Sequence, residues 1–89
     1  MNTQTVNNYT SQKSKTHTNY KFLDSNWAVN ISNTKDRCHY FENELTGNGG
    51  MLVIENGIVV DFDGFYELPV KVASLLAELG YKFDKYILP

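Results

Sequence analysis

Cysteine is nearly missing: Cys38 is the only one in 89 residues. No intramolecular disulfide can staple the fold, which must rest on its core, as a reducing compartment requires. The expected location is the cytoplasm. Basic charge is not in excess, since 8 Lys and Arg stand against 10 Asp and Glu for a net charge of −2. That balance lacks the electrostatic footprint of a phosphate-backbone binder and counts against nucleic acid as the partner. No apolar run approaches the roughly 20 residues that span a bilayer, and the N-terminus lacks the apolar region of a signal peptide, so neither a membrane partner nor secretion is expected. No internal repeat or sustained heptad is visible, which removes solenoids and coiled coils.

What is present divides into two parts. Residues 1–19, MNTQTVNNYTSQKSKTHTN, are almost only Asn, Thr, Ser, Gln and Lys; a segment so poor in apolar surface does not offset its ordering entropy. It reads as a flexible polar arm, the alternative being an arm that pairs with a sheet edge or a partner chain. Residues 20–89 read as one folded domain. Trp27, Val29 and Ile31 alternate with polar neighbours as a half-buried strand does, the turn-rich SNTKDR follows, and the stretch Cys38 to Leu45 alternates again. The glycine-rich TGNGG, Thr46 to Gly50, then leads into MLVIENGIVVDF, where Asn56-Gly57 between two apolar runs predicts a two-residue type I′ turn. Pro69 at the start, Val72, Leu75, Leu76 and Leu79 at helical spacing, and Gly80 as a C-terminal cap predict a short amphipathic helix. The tail from Tyr81 to Pro89 is a candidate last edge strand. The expected fold is α+β: an antiparallel meander of about four or five strands with one C-terminal helix packed on one face.

If Glu55 pairs with Ile58 and the ladder runs on without a shift, one face of the hairpin carries Met51, Val53, Ile58, Val60 and Phe62 and the other carries Leu52, Ile54 and Val59. One helix covers only one face. Leu52, Ile54 and Val59 are therefore the expected surface for a homodimer or another partner, self-association being a common remedy for a small core.

Catalytic constellations do not assemble. IVVDFDG, Ile58 to Gly64, matches the nucleophile strand of haloacid-dehalogenase-type phosphatases, but Phe65 stands where that motif has Thr. The short stretch after Asp63 also cannot carry the parallel units that would bring the remaining groups. Asp-x-Asp-Gly also opens calcium loops, yet Phe65, Tyr66, Leu68 and Pro69 occupy the positions of the further oxygen ligands. Cys38 and His39 are neighbours on a strand and point to opposite faces, which excludes a dyad, and two histidines without partners make no zinc site. No enzyme activity, metal or cofactor is expected. Charge is nonetheless uneven: between Cys38 and Val70 stand Glu42, Glu44, Glu55, Asp61, Asp63 and Glu67 with no Lys or Arg. The leading expectation is a non-catalytic protein–protein interaction module that binds itself or another macromolecule through its apolar or acidic surface. The alternative is a small-ligand pocket lined by Trp27, Tyr40, Phe41, Phe65 and Tyr66, with Asp63 or Glu67 selecting cations.

The stretch from Tyr40 to Tyr81, with YFEN, the glycine-rich loop, MLVIENG, VVDFDG, ELP and LAELGY, resembles small uncharacterised proteins of bacterial accessory genomes, of the integron-cassette and prophage kind. The resemblance implies an origin in a mobile genetic element, where small folds often act by binding a host or rival protein. It brings no activity and no catalytic residue to this chain.

Overall fold

A computed structural model describes residues 9–32 and 36–89. Residues 1–8 of the expected arm, and the middle of the SNTKDR turn, lie outside the described residues. The elements run β1 (Tyr9–Lys13), β2 (His17–Phe22), β3 (Trp27–Ser32), β4 (Cys38–Asn43), β5 (Gly49–Glu55), β6 (Ile58–Asp63), α1 (Val70–Glu78) and β7 (Lys82–Phe83). Among the described residues, these seven strands form one sheet in sequence order. Neighbours from β1 to β6 are antiparallel, and β7 lies parallel to β6. The expected antiparallel meander of four or five strands is thus corrected to a curled, mixed, seven-stranded sheet with one short helix.

Two physical reasons account for the difference. At the N-terminal end, much of the segment read as an arm is a hairpin: Ser14 N–H donates to the His17 carbonyl (2.9 Å) and closes the turn. Thr18, Tyr20 and Phe22 then alternate toward the core side, and the Tyr9 and Tyr20 rings meet edge-on at 6.1 Å. β1 itself is polar and gains its place from backbone pairing rather than from burial. At the C-terminal end, the stretch 64–81 is long enough to act as a crossover, so the tail returns beside β6 in the same direction. Lys82 N–H donates to the Gly57 carbonyl and Asp84 N–H to that of Val59, both at 3.0 Å.

The hairpin and the helix form where local chemistry directs them. Asn56 (φ 53°) and Gly57 (φ 79°) occupy the left-handed region that the type I′ turn demands. Pro69 caps α1 from an extended conformation, so the helix begins one residue later than the proline suggests. At the other end Gly80 (φ 99°) donates to the Ala77 carbonyl and Tyr81 N–H to that of Leu76, the paired bonds of a Schellman cap.

Register decides which side chains meet α1. Leu52 lies opposite Phe62 and Ile54 opposite Val59, so the ladder shifts between Val53 and Ile54 and Val60 is the extra residue of a β-bulge. Without the bulge Phe62 would share a face with Met51; with it, Phe62 turns to the core and Asp61 and Asp63 turn away. The core joins Val29, Phe41, Leu52, Ile54 and Val59 of the sheet to Val72, Leu75 and Leu76 of α1, with Leu68 and Ile87 closing the ends. Leu52, Ile54 and Val59, expected as a partner surface, are therefore buried within the monomer. The helix covers the face that the unshifted ladder left bare.

His39 is also buried on the core side, 6% exposed and opposite Leu52. Its Nδ1 accepts the Ser32 N–H at 2.9 Å, which requires the neutral ring. Burial lowers its pKa from the ordinary 6.5, against a weaker upward pull from Asp36. A histidine with a lowered folded-state pKa takes up its proton more readily in the unfolded chain. Its stabilising contribution is present above pH 6.5 and is lost as the pH falls below that value. We expect urea-unfolding free energies to decline on mild acidification and the decline to be shallower in His39→Gln. Equal slopes in the two proteins would mean that other groups set the pH dependence.

Candidate functional site

The sheet face turned away from α1 carries a different set of residues. Cross-strand register aligns Asn19, Asn30, Tyr40, Met51 and Asp63 in one row across β2 to β6. The adjacent row runs Lys21, Ala28, Glu42 and Gly49. Small residues in the middle of tall ones make a depression: Ala28, Gly49, Gly50 and Gly64 leave room, while Asn30, Tyr40, Glu42, Met51 and Asp63 stand around it. His17, Asn19, Gly47 and Phe41 complete the lining of a volume of about 740 Å³.

Backbone packing maintains the shape. A Cβ on Gly50 would run into the Asp63 carbonyl oxygen and would lie 2.7 Å from Cζ of Phe41. A Cβ on Gly49 would lie 2.5 Å from the Phe41 carbonyl oxygen. Neither position accepts a side chain without displacing main chain, so the glycines at the start of β5 are a packing requirement as well as a loop.

The charges around the depression are unevenly matched. Lys21, in the same row as Glu42, directs its Nζ to Glu44 Oε1 at 2.8 Å, and Arg37 Nε meets Glu55 Oε2 at 2.7 Å. Glu42 and Asp63 have no ion pair among the described residues. One Asp63 oxygen accepts the N–H of Gly64 at 2.8 Å, which orients the carboxylate and leaves its charge uncompensated. Tyr40, 58% exposed, stands two residues from Glu42 on β4 and shares the row of Asp63, with Met51 between them. On the rim, the Ser14 hydroxyl hydrogen-bonds His17 Nδ1 at 3.0 Å.

The expected pocket is therefore divided. Tyr40, Phe41 and Asp63 line the depression. Trp27 and Phe65 instead pack with Phe41 into an aromatic cluster, with centroid separations of 5.6 to 6.0 Å, and join the core. Tyr66, 98% exposed, and Glu67 stand on the loop before α1 and do not line it. Sequence reasoning missed Glu42, Met51 and the two asparagines as one site. The signal that unites them is register across five strands, which starts from a hairpin in the segment taken for an arm.

Among the described residues, no three His, Cys, Asp or Glu side chains come together as metal ligands, and no helix is long and apolar enough to cross a membrane. No family model, curated protein or solved structure matches the chain.

Proposed function

We propose that this protein is a non-catalytic interaction module that receives a basic side chain of a protein partner in the depression between Tyr40, Glu42 and Asp63. The observation that carries the reading is a pair of uncompensated carboxylates in one depression: Glu42 and Asp63 both line it and neither has an ion pair among the described residues, whereas Glu44, two residues from Glu42, is held by Lys21. A guanidinium or ammonium group placed there meets both carboxylates and the face of the Tyr40 ring. Its methylene stem lies along Met51, as long cationic side chains do on apolar surface. The same chemistry admits a small organic cation, the second reading, and the volume is adequate for either. The cytoplasm suits this role, because the exposed thiol of Cys38 stays reduced there.

The test is an amide-resolved NMR titration with a short capped peptide containing one arginine, alongside the same peptide with glutamine and free methylguanidinium. The arginine peptide is expected to shift amides of Asn30, Tyr40 and Met51, and the glutamine peptide is not. In Glu42→Gln with Asp63→Asn, affinity should fall about fivefold to thirtyfold, since each exposed carboxylate contributes roughly 0.5 to 1 kcal/mol. Equal binding of the arginine and glutamine peptides would overturn the proposal. Methylguanidinium binding as well as the peptide does would favour the small-ligand reading.

A further inference from the structure

The two edges of the sheet are built differently. Beyond β6 the edge is obstructed: β7 pairs with Ile58 and Val59, the bulge at Val60 distorts the strand, and Asp61 and Asp63 add charge. Natural sheets use such features to prevent edge-to-edge pairing. β1 lacks the covering strand, the bulge and the carboxylates, and its one charged residue, Lys13, stands at its C-terminal end. Its five residues, YTSQK, pair with β2 in unbroken register, without proline, bulge or carboxylate, and no strand lies on its far side among the described residues. A regular strand with one row of backbone groups unpaired is a template for another strand.

We infer that β1 pairs antiparallel with β1 of a second copy about a two-fold axis at Ser11, making one continuous sheet. The strand is self-complementary in that register. Ser11 faces its own counterpart, Thr10 faces Gln12 of the other copy, and each Tyr9 faces a Lys13. The last pairing sets an ammonium beside an aromatic ring at both ends of the ladder and keeps the two Lys13 residues about 13 Å apart. No acid in β1 requires a partner. The opposed copy is favoured over an unrelated strand because it satisfies each of these pairings with residues the chain already has. A five-residue ladder buries little surface, so the dimer is weak and concentration-dependent.

The geometry has a consequence for the depression. Gln12 lies opposite Asn19 on the outer face, so the outer rows of both copies run together through the junction. Both depressions then open on the same side of the sheet. From β4 to its counterpart there are seven strand spacings of about 4.8 Å, which sets the sites about 34 Å apart along the sheet. A partner with two suitably spaced basic groups would gain avidity. Only this bivalency rests on the binding role proposed above; the dimer stands independently of what the depression holds.

The test uses the full chain and two kinds of variant. Sedimentation equilibrium up to near-millimolar concentration is expected to show reversible dimerisation. Placing like charges on the axis, Ser11→Lys or Ser11→Glu, should weaken each homodimer about fivefold or more, and mixing the two variants should restore association as a heterodimer. Restoration also proves that each variant folds. In a Cys38→Ser background, Ser11→Cys should cross-link across the axis under mild oxidation, since directly opposed strand residues have Cα atoms within disulfide reach. Thr10→Cys and Gln12→Cys should cross-link poorly. A strict monomer at all concentrations, a dimer indifferent to the charge variants, or equal cross-linking at the three positions would overturn the inference.

Discussion

Phe41→Ala is expected to leave most of the protein unfolded at room temperature. The Phe41 side chain is 1% exposed, sits on the central strand between Val29 and Gly50, and packs against Trp27 and Phe65 at 6.0 and 5.6 Å between centroids. Truncating a buried phenylalanine costs about 3 to 5 kcal/mol, and a single core of this size rarely supplies more than about 3 to 5 kcal/mol in all. The loss therefore matches the whole stability. Circular dichroism with urea titration measures it directly. The control is Tyr40→Ala on the same strand: its side chain points to solvent, and its removal should change stability by only about 0.5 kcal/mol. Comparable losses at the two positions would mean that the aromatic cluster is not the centre of the core.

The contrast between Phe41 and Tyr40 also marks where a sequence can be read and where it cannot. Alternation from Cys38 to Leu45 identifies a strand but does not tell which face looks inward, because both sets contain an aromatic residue. The Asn56-Gly57 turn and the Val72, Leu75, Leu76, Leu79 stripe were legible because each is specified within a few residues, by a positive φ or by helical spacing. The bulge at Val60 was not. Val59, Val60 and Asp61 give no sign that one residue is to be left out of the ladder, yet that residue determines that Phe62 joins the core and Asp63 the depression. Without the bulge Phe62 counts with Met51, Val53 and Val60, which makes theirs the richer apolar face and leaves Leu52, Ile54 and Val59, on one face in either register, looking available to a partner. β1 escaped detection for a different reason: its stabilisation lies in backbone pairing, to which Thr10, Ser11 and Gln12 contribute no hydrophobic signal. β7 has two residues and depends on a crossover that brings it back to β6. Of the candidate site, Tyr40, Phe41 and Asp63 were found by residue chemistry. Their companions follow only from the completed sheet.

Gly50→Ala is expected to cost about 1 to 3 kcal/mol or more, a large share of the stability, although it adds a single methyl group. The obstacle is main chain: the new Cβ would occupy the place of the Asp63 carbonyl oxygen, with the Phe41 ring on another side. Flexible side chains yield to such a contact, whereas a carbonyl within a paired strand yields only if β6 moves. The substitution should therefore act at two levels. It should lower the midpoint of urea unfolding, and in the fraction that folds it should push Asp63 outward and weaken binding of the arginine peptide. Gly57→Ala separates this steric effect from backbone preference. Gly57 has φ of 79°, open space around its missing Cβ and no part in the lining of the depression, so alanine there meets only left-handed strain of about 1 to 2 kcal/mol and leaves the packing under Asp63 intact. If both substitutions lower stability but only Gly50→Ala weakens binding, the close approach of β5 to β6 shapes the depression. If Gly50→Ala folds and binds as well as Gly57→Ala, β6 retreats without cost, and the glycines of the TGNGG loop serve the turn alone.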